Sequence, residues 1–311
     1  MPDALIREFQ RRDRDQATML ANAHLAAILP GLSISVNTLL SQLEREPDEY
    51  VVDPWVIQRV TLVAEDRGNV LAAAHLVHYG SDLHVGADYQ GAAEIRWLLC
   101  WPGADAVVAG ERLLGTCLAQ FRRWRARREF ANGALPAPGA YGVPDAWPHV
   151  HQLLAAAGFG DGRREEVLAA AVSELARAVP PPRPGVRVVR SVGAVGTRFT
   201  AREGDRDLGY LDIDTALGEQ GRFAPGQRLA DIGNLWVGPD DRRRGVARWL
   251  LATAAGWLDL AGVRLLLTYL DPTTEDAERA FVTAAGFRPM ITTTRGLQRR
   301  TSPDQTLARP G

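Results

Sequence analysis

The sequence predicts an α+β protein built from two fused copies of one fold. The chain has 311 residues, which is enough for two domains at about 100–200 residues each. A proline-rich segment, Pro180–Gly185, divides it, because four prolines within five residues cannot continue a helix or a central strand. Short motifs recur in the same order on both sides of that segment, which predicts the duplication.

The recurring motifs lie in a strand and at a helix end. Residues 93–102 (AEIRWLLCWP) align without gaps on residues 230–239 (ADIGNLWVGP). In both, an acidic residue and an isoleucine open an apolar run that a proline closes, which is typical of a buried strand. A long amphipathic helix pattern follows each strand. Further along, the tetrapeptide AAGF at residues 156–159 recurs at residues 284–287.

These observations give the predicted domain boundaries. The first domain covers residues 1–179, a proline-rich linker residues 180–185, the second domain residues 186–298, and a disordered tail residues 299–311. The first domain reads as a strand, two helices, a hairpin that turns at residues 67–69, a strand and a long helix. The second repeats this order without the two early helices, because about ten residues separate its first strand from its hairpin.

Composition excludes several classes of function. The 36 basic and 37 acidic residues leave a net charge of −1, which gives no electrostatic reason to expect nucleic acid or an anionic membrane as a partner. The chain lacks an apolar run of about 18 residues and a signal-peptide core. Two cysteines are too few for a disulfide framework or a zinc site. We expect a soluble cytoplasmic protein without a bound metal.

The segment after the second repeated strand carries the most chemistry. Residues 235–250 (LWVGPDDRRRGVARWL) read as a strand end, a polar turn and a helix that begins near Gly245. The first turn of a helix has unpaired N–H groups and a partial positive charge, which suit an anion such as a diphosphate. Gly245 allows the backbone to approach that anion, and Ala247 keeps bulk away. The adjacent arginines add positive charge.

These residues resemble the signature of the GCN5-related N-acetyltransferase (GNAT) superfamily, Arg/Gln-x-x-Gly-x-Gly/Ala, which Arg242, Gly245 and Ala247 match. The preceding Val237-x-Pro239 and the later Gly286-Phe287 also stand where that family has them. The resemblance covers most of residues 186–298. It implies domains with a mixed, mostly antiparallel central sheet flanked by helices, and acetyl-CoA as co-substrate. The residues that it assigns to acetyl-CoA binding are Trp236, Val237, Arg242, Arg243, Arg244, Gly245, Val246 and Ala247.

The resemblance also implies catalytic roles. Asp231 stands where many members carry the carboxylate that deprotonates the amine, although a structural acid that caps a strand end or pairs with an arginine is the alternative. The backbone N–H of Val237 is the expected oxyanion donor. The family often has a tyrosine as general acid at the position of Val282. Tyr269, on a predicted strand at residues 265–270, and Tyr210 are the candidates that could substitute for it, and each can instead be a core aromatic residue.

The first domain lacks the diphosphate-binding pattern. Counted from the matching proline, Asp105 replaces the arginine, Val108 the glycine, and Gly110 takes the third small position. An acid and a β-branched residue there oppose anion binding. We therefore predict a degenerate copy, which we expect to cover the acceptor side of the second domain in place of its missing helices.

The predicted activity is transfer of an acetyl group from acetyl-CoA to a primary amine of a small molecule, by direct attack in a ternary complex. Two alternatives stay open: a non-catalytic acyl-CoA-binding sensor or assembly module, and an acetyltransferase of a protein or peptide amine. The expected assembly is a monomer that acts as a pseudo-dimer, or a homodimer.

Overall fold

The chain forms two compact α+β units that exchange segments. The computed structural model describes residues 4–29, 31–44, 55–133, 135, 141–215 and 229–299. The N-terminal unit comprises Met1–Pro136, Ala140–Arg164 and Thr293–Gly311. The C-terminal unit comprises Ala137–Gly139 and Glu165–Thr292.

The described residues contain fifteen strands and seven α-helices. The strands are β1 Leu5–Glu8, β2 Val56–Asp66, β3 Asn69–Tyr79, β4 Ala93–Cys100, β5 Glu129–Ala131, β6 Val143–Pro144, β7 Phe159–Gly160, β8 Arg163–Ala171, β9 Val186–Val192, β10 Thr197–Glu203, β11 Arg206–Asp214, β12 Leu229–Val237, β13 Leu265–Leu270, β14 Arg288–Arg295 and β15 Leu297–Arg299. The helices are α1 Arg14–Ala26, α2 Val36–Leu43, α3 Ala104–Trp124, α4 Pro148–Ala156, α5 Val172–Leu175, α6 Val246–Leu260 and α7 Asp276–Ala285.

The N-terminal unit is a sheet with strand order β1-β2-β3-β4-β5-β15-β7. Its described pairs are antiparallel except for β4 and β5, which run parallel. Helices α1 and α3 both pack against the central strand β3, which is buried at nearly every position. Apolar residues such as Leu76, Ile95 and Leu113 fill the core.

The C-terminal unit has the strand order β14-β8-β13-β12-β11-β10-β9. The β12–β13 pair is parallel, whereas β8–β13 and the pairs from β12 to β9 are antiparallel. Helix α6 packs on β10, β11 and β12, and its apolar face supplies Leu250 and Leu258 to the core. Only residues 193–196, all of them described, separate β9 from β10, so the predicted absence of two early helices is confirmed.

Matching irregularities support the duplication. The register of β4 against β3 shifts so that Arg96 is an extra, bulged residue. The register of β12 against β11 shifts in the same way at Gly233. Gapless alignment of the repeated strands places Arg96 on Gly233. The two AAGF motifs likewise end helices α4 and α7 with a left-handed glycine, Gly158 at φ 88° and Gly286 at φ 112°, and each phenylalanine is buried.

The exchanged segments do not follow the predicted domain boundaries. Strand β8 lies before the predicted boundary at residue 179, yet it pairs with β13 of the C-terminal unit. Leu168 and Val172 enter the core of that unit, so burial of apolar side chains places this segment there. In return, β15 inserts between β5 and β7. Arg299 therefore belongs to a strand, and residues 300–311 of the predicted tail lie outside the described residues.

Both cysteines, Cys100 and Cys117, are buried free thiols. Among the described residues, no helix has the length and apolarity needed to cross a bilayer.

Candidate functional site

The loop between β12 and α6 presents the start of a helix to solvent. It begins with a single 3-10 turn, Pro239–Asp241, and ends at Gly245, which is left-handed at φ 85°. A Cβ atom at Gly245 would meet no described atom within 4 Å, and no described side chain caps the helix there. Arg243 is also left-handed, at φ 59°. The free N–H groups of the first turn of α6 therefore face open space.

Ion pairs around one buried carboxylate hold this loop in place. Asp241 is buried, and its carboxylate accepts hydrogen bonds from Arg206 at 2.7 Å and from Arg183 at 3.3 Å. Arg183 belongs to the proline-rich segment and also pairs with Glu203 at 2.7 Å. The hydrogen bond from Arg206 is the largest cause that lowers the pKa of Asp241 below its usual range. The loop is therefore held by a buried, ionised carboxylate, whereas the arginines that follow it are exposed.

Strands β12 and β13 diverge beside this loop. Their described pairing covers only Leu229–Asp231, and the bulge at Gly233 follows directly. A bulge bends its strand and increases the local twist. The segment of β12 from Leu235 to Val237 consequently leaves β13 and presents a free edge to the fork between them.

The backbone of Val237 faces this fork. The N–H group of Gly238 donates to the carbonyl of Leu208 on β11, at 2.8 Å. In the adjacent register position, Val237 pairs with Gly209 of β11. Hydrogen-bonded and non-hydrogen-bonded pairs alternate along an antiparallel ladder. The N–H group of Val237 therefore points away from β11, towards the open side of β12.

The fork, the loop and helix α7 enclose a cleft of about 560 Å³. Seven of the eight residues predicted to bind acetyl-CoA line it; Arg244 is exposed outside the lining. Sequence reasoning missed further lining residues, among them Arg248 in the first turn of α6 and Glu278 and Phe281 in α7. Glu275, which stands where the family often has an asparagine that contacts CoA, also lines the cleft. Arg248 follows Gly245 by three residues, so helical spacing was the available signal for it.

The two side chains predicted to be catalytic meet at the base of the fork. The hydroxyl of Tyr269 donates to Asp231 Oδ2 at 3.3 Å. Asp231 is 8% exposed, and this burial raises its pKa to about 6, with a further contribution from the carboxylate of Asp214 across the strand pair. The hydrogen bond from Tyr269 acts in the opposite direction. Neither Asp231 nor Tyr269 lines the cleft itself.

An aromatic strip continues from the cleft across β11. Trp236 is 40% exposed and stacks on Tyr210, with ring centroids 5.7 Å apart. The guanidinium of Arg198 lies 3.9 Å from the centroid of the Tyr210 ring and is paired with buried Asp212 at 2.7 Å. This face of β10–β12 lies opposite the face that carries the core residues Phe199 and Leu211.

The N-terminal unit lacks the corresponding loop. Three residues separate β4 from α3, whereas eight residues separate β12 from α6. Asp105 and Val108 therefore lie inside the helix. A Cβ atom at Gly110 would come within 2.9 Å of the Leu153 side chain, so this glycine serves helix packing.

Comparison with known proteins extends these observations. Neither a protein-family model nor a curated protein matches the chain. A solved tandem GNAT protein from the clavulanic acid biosynthesis pathway superposes with a TM-score of 0.65 at 17% identity, over 96% of this chain and 100% of that one. The chain has a tandem GNAT fold. A GCN5-related N-acetyltransferase from Sphaerobacter thermophilus gives a TM-score of 0.59 at 15% identity, over 96% of both chains.

The tandem GNAT fold also occurs within a longer protein. A fungal multi-domain GH3 β-N-acetylglucosaminidase contains a GCN5-related glucosamine N-acetyltransferase region, which superposes with a TM-score of 0.64 at 15% identity. The match covers 95% of this chain but only 38% of the fungal one. The shared fold confirms two mixed sheets flanked by helices, as predicted.

Proposed function

We propose that the protein transfers an acetyl group from acetyl-CoA to a primary amine of a small molecule. The observation that carries this proposal is the open N-terminus of α6 at Gly245, next to the fork between β12 and β13. Function depends on the site rather than the fold, and here an anion-binding loop borders a fork that has an ionisable pair at its base.

The loop fits the diphosphate of a coenzyme A thioester. A helix N-terminus carries about half a positive charge and free N–H donors. Arg242, Arg243 and Arg248 line the cleft beside it and add guanidinium groups that suit phosphate oxygens. The free edge of β12 near Trp236 offers backbone groups to the amide-bearing arm of the thioester, as an added strand would use them.

The chemistry follows from the groups at the fork. The lone pair of a neutral amine attacks the thioester carbon, and the N–H group of Val237 stabilises the negative charge that develops on the carbonyl oxygen. The carbon–sulfur bond breaks. Because Asp231 lies six residues before Val237 on β12, the amine proton passes to Asp231 through water, and the raised pKa of Asp231 makes it a stronger base than an ordinary aspartate. The departing thiolate receives a proton through the same water from Tyr269, which recovers one from Asp231, to which it is hydrogen-bonded.

The carboxylates favour a cationic acceptor. Asp214 and Asp231 stand opposite each other on β11 and β12, and an ammonium group near two carboxylates is electrostatically favoured. Amines are mostly protonated at neutral pH, so this pair attracts the acceptor before a proton is removed.

One assay tests the proposal. The full-length protein is incubated with acetyl-CoA and a panel of small primary amines and short peptides, and release of free thiol is recorded against time. Turnover with at least one small amine supports the proposal. Calorimetric binding of acetyl-CoA without turnover on any amine supports a non-catalytic sensor, and turnover restricted to peptides supports a protein acetyltransferase. Absence of acetyl-CoA binding contradicts all three.

A further inference from the structure

The N-terminal unit contains a second cavity, of about 570 Å³. Every residue that lines it belongs to that unit. Its volume is in the usual range for a small-molecule site. Because the diphosphate-binding loop is missing from this unit, we expect its ligand to be something other than an acyl-CoA.

A buried carboxylate forms one end of the cavity. Glu94 is 2% exposed yet lines the cavity wall. It accepts a short hydrogen bond from the hydroxyl of Tyr79, and Arg96 Nε lies 4.0 Å from its Oε1 atom. Glu94 aligns with Asp231 in the repeated strand, two residues before the bulged residue. The degenerate copy therefore keeps the acid at its fork while lacking the loop for a diphosphate.

Aromatic rings surround the space near this carboxylate. Tyr79 and Tyr89 meet edge to face with centroids 5.2 Å apart, and Trp55 lies 6.0 Å from Tyr89. All three line the cavity. A carboxylate bordered by electron-rich rings is a favourable environment for an ammonium group, since both the charge and the ring faces attract it.

Basic side chains also line the cavity. Arg96, Arg163 and Arg295 line the cavity, and the guanidinium of Arg295 lies 5.2 Å from the centroid of the Tyr141 ring. Asp161 is the only acid besides Glu94 among the described lining residues, so positive charge exceeds negative by one. Guanidinium groups match the planar geometry of carboxylates and bind them with two hydrogen bonds.

We propose that this cavity binds a small molecule of the amino-acid class, with its ammonium group near Glu94 and the rings, and its carboxylate near Arg163 and Arg295. An ammonium group alone would not use these arginines, and a carboxylate alone would not use Glu94. The aromatic rings also provide an apolar surface for a side chain. This proposal rests on the N-terminal unit alone and is independent of acetyl transfer.

The test uses calorimetric titration of the full-length protein with each of the twenty standard amino acids. We expect at least one to bind with a dissociation constant of about 1 mM or tighter. Each amino acid that binds is then compared with its decarboxylated amine and its deaminated acid, and we expect both analogues to bind at least about tenfold more weakly. The proposal is wrong if no amino acid binds, or if either analogue binds as tightly as its parent.

Variants test which side chains bind the ammonium group and the carboxylate of the ligand. Glu94→Gln keeps a hydrogen-bond acceptor for Tyr79 but removes the charge, so it should weaken the amino acid about tenfold and leave the deaminated acid unchanged. Arg163→Gln, at an exposed position, should weaken the amino acid and the deaminated acid together. Glu111→Gln, on the exposed face of α3, is the matched control and should change nothing. Circular dichroism checks that each variant folds.

A further comparison locates the site. Gly245→Glu alters the cleft of the C-terminal unit and should leave amino-acid binding intact. Loss of amino-acid binding in Gly245→Glu, or unchanged binding in a folded Glu94→Gln and in Arg163→Gln, contradicts the assignment to the N-terminal cavity. The analogue comparison and Arg163→Gln keep the test decisive if Glu94→Gln does not fold.

Discussion

Gly245 is the residue on which the proposed diphosphate site depends most directly. Gly245→Glu adds bulk and negative charge at the free N–H groups, so it should abolish acetyl-CoA binding. Acetyl-CoA at about 100 times its dissociation constant stabilises the native protein by about 2.7 kcal/mol, and the variant should lose nearly all of that shift in a thermal melt.

The matched control for this substitution is Gly68→Glu. Gly68 is left-handed at φ 83°, and a Cβ atom there also meets no described atom within 4 Å. The control therefore carries the same backbone strain and charge in the β2–β3 hairpin turn of the N-terminal unit, whose residues do not line the cleft. An equal loss of the acetyl-CoA shift in Gly68→Glu contradicts a specific role for Gly245.

Asp231 should set the acid limb of the pH profile of turnover. With a pKa of about 6, it is protonated below that pH and no longer accepts the amine proton, so turnover falls as pH decreases through about 6. Asp231→Asn should lower kcat by about 10²–10⁴-fold and leave acetyl-CoA binding unchanged. Steady-state kinetics across pH measure both effects.

Asp214→Asn provides a second test of the assignment of Asp231 as the base. The carboxylate of Asp214 raises the pKa of Asp231, so its removal should move the acid limb to lower pH without abolishing turnover. The assignment of Asp231 as the base is contradicted if the acid limb of the pH profile does not move in Asp214→Asn. It is also contradicted if that limb is still present in Asp231→Asn.

At this scale, sequence patterns identified side chains but not their mutual contacts. The repeat and the family resemblance drew attention to Asp231, and the strand pattern made Tyr269 a candidate. Their hydrogen bond joins residues 38 positions apart and depends on the short parallel pairing of β12 with β13. Glu94, in the degenerate copy, shows that an acid at this position occurs without the loop that would bind a diphosphate.

At the scale of elements, the loop before α6 depends on a single buried acid. Removing the main partner of Asp241, as in Arg206→Leu, leaves a carboxylate that is buried in the fold with fewer hydrogen bonds, which destabilises the folded protein. We expect a lower urea midpoint and acetyl-CoA binding that is about tenfold weaker, because the loop loses its fixed shape. Arg206→Lys keeps the charge and should retain most of both properties.

Urea titration and calorimetry measure the two effects separately. Arg202→Leu, which breaks the exposed pair with Asp207, is the control, since exposed pairs contribute only about 0–1 kcal/mol. If Arg206→Leu binds acetyl-CoA as well as the control does, the proposed dependence of loop shape on Asp241 is wrong.

Elements with a strong local pattern were predictable, and the others were not. The predicted hairpin turn at residues 67–69 is confirmed, because Arg67 and Gly68 adopt left-handed φ angles of 50° and 83°, as a two-residue hairpin turn requires. The predicted strand at residues 265–270 matches β13 in full. Strand β8 was missed because its sequence, RREEVLAAA, is rich in helix-forming residues. Pairing with β13 overrides that preference.

At the scale of the whole molecule, the exchange of segments changes how the units can be separated. A fragment of residues 186–311 lacks β8 and α5, and so loses Leu168, Val172 and Leu175 from the core of the C-terminal unit. Each such side chain contributes about 1.5–3 kcal/mol when fully buried. We expect this fragment to aggregate or unfold without cooperativity.

The matched fragment begins at residue 163 and ends at residue 292. It keeps β8 and α5, so it should unfold cooperatively and bind acetyl-CoA. Thermal melts and calorimetry of both fragments provide the measurement. Cooperative unfolding of the shorter fragment contradicts the importance of β8.

Buried histidines should make the N-terminal unit sensitive to acid. Burial lowers the pKa of His75 to about 3 and that of His24 to about 4. The unfolded chain binds protons near pH 6.5 while the folded chain does not, so stability is highest above pH 6.5 and falls as pH decreases towards these values. The slope is at most about 1.4 kcal/mol per pH unit for each imidazole.

Urea unfolding across this pH range measures the slope. His75→Gln keeps a partner for the hydroxyl of Thr61, which lies 2.9 Å from His75 Nδ1, and should make the slope shallower. An unchanged slope in His75→Gln contradicts the role of this imidazole.

The duplication was predictable from the sequence, whereas the exchange of strands was not. The repeat is local, since the aligned segments around Glu94 and Asp231 each carry their own pattern. The pairing of β8 with β13 and the insertion of β15 between β5 and β7 join residues more than 90 positions apart. Such pairings depend on which apolar faces find a partner in the whole chain, and no local pattern records them.

The position of β15 has a consequence for biosynthesis. Residues 297–299 lie between β5 and β7, so the N-terminal sheet gains this strand only after residues 165–292 of the C-terminal unit have been translated. Domains of a nascent chain usually fold in the order in which they leave the ribosome. Here the unit that is translated first is the one completed last.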